Sequence, residues 1–384
     1  MKQKKILIID DSALMRRVLS DIINSDDRFI VCDMAGNGLE AYDKISRNPG
    51  QYDIVLLDIN MPKMNGIEFM EEINRLKLKL TVVVVSTIAV EGATETIRLL
   101  ELGAFDFVTK PNSFVEAKTN VFHDKVLNCL VCAAGLDGGG GRQGGAAGPD
   151  RDEGRKSSTA VPPKLERVET KPVVSARAPV VRRPHKAVRK DASKLIVLAC
   201  STGGPKALQQ VVPKLPKNLD APMVIVQHMP SGFTETLALR LNDLSEITVK
   251  EAADGECLKK GTVYIAKGGS QLRIKKGTAS SYVLCVTNEP ARNGLKPCAD
   301  ITYESLLDSD YEDITCVVLT GMGGDGTAGI KQLNDKHNIY VIGQEASTCT
   351  VYGMPRVLHE EGLADVMLPL EEVAGEIIKN VGVR

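Results

Sequence analysis

The sequence predicts an α/β chain: two doubly wound domains with parallel sheets, joined by a flexible linker. Three observations predict it. Short runs rich in Val, Ile and Leu alternate with helical patterns from Lys5 to about Ala133. The same alternation resumes at Leu195. Between them the composition turns to Gly, Pro, Ser and basic residues. Near-continuously apolar strands separated by helices mean parallel sheets covered on both faces.

The elements follow in order. "KILIID", "FIVCDMA", "DIVLLD", "TVVVVS" and "DFVTK" read as five strands, with helices over 13–23, 39–45, 66–76, 92–102 and 113–132 between and after them. This gives a first domain over 1–133. Residues 134–193 lack the apolar density to fold alone and read as a solvated linker in which basic residues outnumber acidic ones. The second domain, 194–384, has strands at "LIVLAC", "PMVIVQH", "TVYIAK", "SYVLCV", "ITCVVLT" and "IYVIG". Helices are expected after Gly204, Gly232, Pro297 and Gly326, with a last one over 370–381. The stretch 248–286, with several short strands and turn glycines, reads as an antiparallel edge. The halves share a style but no internal repeat.

Composition narrows the function. A net charge of −1 fits no general polyanion binder, and with no Trp and 4% aromatic residues there is no stacking platform for nucleic acid. Nine cysteines without a framework suit a reducing cytosol. The pair Cys129 and Cys132 reads as helix-end residues spaced i, i+3 rather than a metal or redox site. The apolar run in "MKQKKILIID" is too short for a signal-peptide core, and no stretch approaches the ~20 apolar residues of a bilayer span. The expectation is a cytoplasmic protein that is not membrane-inserted.

In a doubly wound sheet, ligands gather beyond the carboxyl ends of the strands. Here the first strand ends in Asp10-Asp11, the third in Asp58, the fourth in Ser86-Thr87, and the fifth in Thr109-Lys110. If these strands are neighbours, three carboxylates, a hydroxyl and an ammonium converge. Clustered carboxylates repel unless neutralised, and a hard divalent cation such as Mg²⁺ does this. It also prepares a carboxylate to accept a phosphoryl group, which Lys110 would hold as a point charge.

"IIDDS", "LLDINMPKMNG", "VVVVS" and "GAFDFVTKP" resemble a response-regulator receiver domain, which has a flavodoxin-like parallel sheet. The resemblance implies that Asp58 accepts phosphate from a histidine kinase. It implies that Asp10, Asp11, Asp58 and the backbone carbonyl of Asn60 hold Mg²⁺. Ser86 takes the phosphate-sensing position ahead of Thr87, Phe107 the aromatic switch position, and Lys110 the lysine position.

The second domain opens on "LIVLACSTGGPKALQQ", a buried strand that stops at Ser201 before two glycines. Either backbone amides there cradle a phosphate, or the hydroxyl is lifted out as a nucleophile. The P-loop spacing fails, because Lys206 follows Gly204-Pro205, and no G-x-G-x-x-G is present. A nucleophile needs a base and an orienting acid. His228 ends "PMVIVQH" at the same kind of strand end, whereas His337 lies in a polar loop and His359 near a helix end. Asp325 lies in "VVLTGMGGDGTAGI", where glycines let backbone amides approach a reacting oxygen. The order Ser, His, Asp differs from that of the α/β-hydrolases. The rival reading is a non-enzymatic regulator that binds a ligand at "GMGGDG".

"CSTGGP", "VIVQHMPSGFTETLALRL", "VYIAKGG", "CVVLTGMGGDGTAG" and "QEASTCTVYGMPR" resemble the Rossmann-like catalytic domain of chemotaxis protein-glutamate methylesterases of the CheB type. The resemblance implies Ser201 as nucleophile, His228 as general base and then acid, and Asp325 as its orienter. Thr202 and the backbone at Met322 line the site. It implies hydrolysis of glutamate methyl esters, and deamidation of glutamines, on chemoreceptor cytoplasmic domains. The esterase step takes no cofactor, and the unphosphorylated receiver covers the catalytic face. Nucleic acid is not an expected partner.

Overall fold

The first apolar run is β1 (Lys4–Ile9), with its last four residues buried. The computed structural model describes residues 2–87, 90–111, 113, 116, 119–136, 192–278 and 281–384. The expected linker, 134–193, therefore lies almost wholly outside the described residues.

Four further strands complete the first sheet: β2 (Phe29–Ala35), β3 (Ile54–Asp58), β4 (Thr81–Ser86) and β5 (Asp106–Thr109). All pair in parallel, in the order β2-β1-β3-β4-β5. That order makes the four strands with polar ends neighbours, and the chain reverses direction across the sheet between β1 and β3. Helices α1 (Ala13–Ile23), α2 (Gly38–Arg47), α3 (Gly66–Arg75) and α4 (Val90–Glu101) connect them, and α5 (Asn120–Ala133) follows β5. The first three start where side chains satisfy free amides. Ser12 accepts from Met15 N, Asn37 from Glu40 N, and Asn65 forms a reciprocal box with Glu68. Each such cap contributes ~1 kcal/mol. The helix expected over 113–132 appears as α5, part of its expected start falling outside the described residues.

The second sheet has seven parallel strands in the order β14-β13-β12-β6-β7-β9-β8. They are β6 (Lys194–Cys200), β7 (Met223–Gln227), β8 (Thr248–Glu251), β9 (Thr262–Ile265), β12 (Asp313–Val318), β13 (Ile339–Gln344) and β14 (Val366–Leu368). Strands β6, β12 and β13 are buried throughout, as a sheet covered on both faces requires. The helices are α6 (Gly204–Val211), α7 (Phe233–Leu244), α8 (Ala299–Glu304), α9 (Thr327–Lys336), α10 (Met354–Glu360) and α11 (Leu370–Val381). The chain enters at β6 in the middle, so β6, β7 and β12 are adjacent and their carboxyl ends share one crevice.

The expected antiparallel edge over 248–286 is not formed as such. Strands β8 and β9 join the main sheet in parallel. Among the described strands, only β10 (Gln271–Lys276) and β11 (Tyr282–Thr287) pair antiparallel, in a separate two-stranded ribbon. The short connection between β10 and β11 can only serve an antiparallel pair, whereas α7 is a crossover that returns the chain in the same direction for β8. Strand β14 and helix α10 were not expected from the apolar pattern. Both are short, at three and seven residues.

Helix α4 of the first unit packs against α6 and α7 of the second. Buried Leu99 and Leu100 share one apolar cluster with Leu237 and Leu241.

Candidate functional site

In the first unit the polar strand ends do converge. Asp10 and Asp58 are buried and Asp11 is exposed. One carboxylate oxygen from each lies within 4.8 Å of the others. Three hard oxygen donors at that spacing suit a divalent cation. Lys110 Nζ lies 2.8 Å from Asp10 Oδ2 and 2.7 Å from Asp58 Oδ2. Burial pushes Asp58 up; Lys110 pulls it down and Asp10 pushes it further up, and the balance is upward. Burial would lower Lys110, but the two carboxylates overcome it and hold its pKa above the ordinary lysine value. The ammonium is therefore a fixed positive charge at Asp58.

The other receiver positions point elsewhere. The buried Ser86 hydroxyl turns to the start of α4, where it accepts from Thr96 Oγ1 at 2.8 Å and donates to Gly92 O at 3.2 Å. Thr87 is exposed. Asn60 is exposed, and its side-chain amide donates to Glu95 at 3.3 Å. Phe107 leaves its own unit: its ring stacks on Phe233 of α7, with centroids 4.8 Å apart and planes at 17°.

In the second unit, Ser201 directly follows β6, His228 directly follows β7, and Asp325 lies in the loop between β12 and α9. His228 Nε2 is 2.7 Å from Asp325 Oδ2. Asp325 also accepts from Ala299 N at 2.6 Å, Asp300 N at 3.1 Å and the Cys298 thiol at 3.1 Å. Burial alone would raise Asp325. The His228 ring and the two amides outweigh it and hold the carboxyl well below the usual range. Asp325 is therefore a permanent anion against the imidazole.

The two glycines after Ser201 have separate reasons. Gly203 caps α6 at φ +76°, a left-handed conformation that favours glycine. A Cβ at Gly204 would collide with the Gln227 amide oxygen. That amide holds the turn: Gln227 Nε2 donates to Ser201 O at 3.0 Å and to His228 O at 3.2 Å, and Gln227 Oε1 accepts from the Cys200 thiol at 3.0 Å. Gln227 thus ties the backbone of the serine to that of the histidine. Sequence reasoning missed it, although its place one residue before His228 at a strand end was the available signal.

Ser201, Thr202, His228, Met322 and Asp325 all line one cavity of about 610 Å³, and Asp106 of the first unit lines it too. Asp106 is the first residue of β5. Burial pushes its carboxyl up to about 6, although the Thr202 side chain and the Phe107 amide pull it down. Cys132 of α5 is buried, with its sulfur 3.5 Å from Met322 Sδ. Burial raises the neighbouring Cys129 thiol well above its ordinary value, so it is an inert thiol. At the far side of the seam, Arg240 Nε of α7 pairs with Glu101 Oε1 of α4 at 2.6 Å. His337 and His359 stand apart, at the end of α9 and in the last turn of α10.

Comparison with known proteins places this arrangement. Residues 6–121 match the response regulator receiver domain and residues 196–377 match the CheB methylesterase domain. A protein-glutamate methylesterase/protein-glutamine glutaminase 1 of Syntrophomonas wolfei is 37% identical over 381 residues, covering 98% of this chain and 99% of that protein. The chain belongs to the CheB methylesterase family. A Bacillus subtilis protein-glutamate methylesterase/protein-glutamine glutaminase is 38% identical over 375 residues, 97% of both chains. The crystal structure of the Thermotoga maritima CheB methylesterase catalytic domain is similar as well, with 41% identity, a TM-score of 0.47, and coverage of 49% of this chain and 98% of that one. Family membership accounts for both units and for their order. No described helix is long and apolar enough to cross a membrane.

Proposed function

We propose that the chain is a phosphorylation-regulated serine hydrolase that demethylates glutamate methyl esters, and deamidates glutamines, on chemoreceptor cytoplasmic domains in the cytoplasm. The domains are a receiver over 1–133, a linker over 134–193 and a catalytic domain over 194–384. The observation that carries the reading is the 2.7 Å His228–Asp325 bond beside Ser201, at three adjacent strand ends. Ser201 Oγ attacks the ester carbonyl and passes its proton to His228. Nε2 is engaged with Asp325, so Nδ1 is the ring nitrogen that serves the serine. Asp325 stabilises the resulting imidazolium. The imidazolium returns the proton to the departing methoxide, and methanol leaves an acyl-Ser201. Water then gives a proton to His228, its oxygen attacks the acyl carbon, and the serine is restored with a free glutamate. Backbone amides of the glycine-rich loop at Met322 and the Thr202 side chain face the oxygen that gains charge.

A histidine kinase supplies the phosphoryl group, and Asp58 receives it. Mg²⁺, held by Asp10, Asp11, Asp58 and the Asn60 carbonyl, would offset charge on the transferring oxygens. Lys110 pairs with the phosphate in place of the carboxylates it now bridges. Withdrawal of Ser86 toward a phosphate on Asp58 frees Phe107 to leave Phe233, which loosens the seam over the catalytic cavity. The stacked rings and the Glu101–Arg240 pair support a covered, restrained state without phosphate. The test is methanol release from methylated receptor membranes, with and without a phosphodonor. Release that depends on Ser201 and rises with the phosphodonor is the expected result.

A further inference from the structure

Behind Asp325 lies a second carboxylate that none of the steps above uses. Asp300 stands at the start of α8, and its Oδ1 accepts from Gly326 N at 3.0 Å and from Gly329 N at 2.8 Å. Those amides belong to the start of α9. Gly326, at the N-cap position, has no side chain with which to cap α9, so Asp300 supplies the missing acceptor from across the gap. The arrangement is reciprocal, because the first amides of α8 donate to Asp325. The helix starts are pressed together closely enough that a Cβ at Gly329 would meet Tyr303 and the Asp300 backbone.

We propose that Asp300 is a positioning residue of the ester-hydrolysing centre: it fixes the loop that carries Asp325 and places a second negative charge behind the His228–Asp325 pair. The inference rests on the reading of Ser201, His228 and Asp325 given above. The Cys298 sulfur and one carboxylate oxygen each of Asp300 and Asp325 all lie within 4.8 Å of one another, so the two carboxylates feel each other directly. Burial pushes Asp300 up to about 6; the Gly329 and Gly326 amides pull it down and the Asp325 charge pushes it up. The dyad is thereby split, with Asp325 ionised throughout and Asp300 the member that takes a proton first. Other ionisable groups near Asp300 are Cys298 just before α8, Tyr303 on α8, and Arg292, itself paired with Glu304. Cys298 and Tyr303 are held neutral by burial, which leaves Arg292 as the nearby opposing charge.

Above pH 6 both carboxylates are anionic. The second anion favours the imidazolium that forms as the proton leaves Ser201. Below it, a protonated Asp300 can donate to Asp325 and compete with His228 for the same carboxylate.

Asp300→Asn separates the two contributions, because the amide keeps an oxygen for Gly326 and Gly329 but carries no charge. In the full chain, without phosphodonor, methanol release is followed from pH 5.5 to 8.5. The expected result is a kcat about tenfold lower with KM little changed, and an acid limb moved to lower pH by about one unit. Asp300→Ser, which also caps a helix, carries the same test if the amide does not fold. A pH profile that overlays the unaltered protein's, whatever happens to thermal stability, would make Asp300 a scaffold residue only and overturn the inference. Ser201→Ala run in parallel separates the two readings: turnover surviving there removes the catalytic reading itself. Loss there with an unchanged Asp300→Asn profile removes only the role of Asp300.

Discussion

Both units put their chemistry beyond the carboxyl ends of parallel strands, yet they hold it in place by different means. The receiver pocket is held by charge: two buried aspartates face each other and share one lysine. Apart from one backbone amide on each, from Ser12 and Ile59, Lys110 is the charge that offsets their repulsion, so a phosphate or a cation can rearrange them. The crevice of Ser201, His228 and Asp325 is held by directed hydrogen bonds. Asp325 receives two backbone amides, a thiol and an imidazole, and Gln227 fixes the backbone carbonyls of residues 201 and 228. A switch needs groups that a new charge can move, whereas a nucleophile needs groups that stay still while the substrate changes.

The largest effects should come from the rigid crevice. Ser201→Ala or His228→Ala should lower methanol release by about 10⁴-fold or more, and the double variant should fall little further, because the two act as a unit. Asp325→Asn should cost less than either. Equal, additive losses would mean that the three side chains do not form one device. In the poised pocket the expected loss is of regulation rather than turnover. Asp58→Asn should abolish phosphate labelling and stimulation by a phosphodonor while leaving basal release intact. Labelling that persists on that variant would put the acceptor elsewhere.

Much of this was legible before any coordinates. The four strand ends carrying Asp10, Asp11, Asp58, Ser86 and Lys110 show in the sequence because each follows an apolar run, and so do Ser201 and His228. The parallel pairing of β8 was not legible. Its four residues, "TVKE", alternate in burial as an edge strand does whichever way it pairs. Asp300 was hidden for another reason. Its role depends on α8 meeting the start of α9, a contact between elements separated by β12, and no local pattern in "KPCADITYE" announces it. Phe233 and Arg240 read as ordinary helix residues until the other unit is laid against them.

The seam between the units should respond more modestly than either site. Phe233→Ala removes a stacked pair of the kind that contributes ~0.5–1.5 kcal/mol, so unphosphorylated release should rise about two- to tenfold. Arg240→Ala breaks a partly exposed ion pair worth at most ~1 kcal/mol and should raise it less. No rise in either variant would mean that the seam does not restrain the enzyme.

The smallest expected effect lies at Asp106, where the two kinds of holding meet. This receiver carboxylate faces Thr202 in the catalytic cavity, and the closed seam pushes its pKa up to about 6. An acid whose pKa is raised in one state is bound more tightly to its proton in that state. The closed seam is therefore favoured as pH falls through about 6 toward the ordinary carboxylate value, and disfavoured above it, where the buried carboxylate must carry its charge. At pH 7.5 the ionised Asp106 works against closure and keeps a basal rate available. Asp106→Asn removes that charge and keeps the shape. Basal release at pH 7.5 should then fall a few-fold, and phosphodonor stimulation should grow by the same factor, because the opened state is untouched. The measurement is basal and stimulated release of the full chain at pH 5.5 to 8. A variant whose basal rate at pH 7.5 equals that of the unaltered chain would show that the charge on Asp106 has no part in setting the seam.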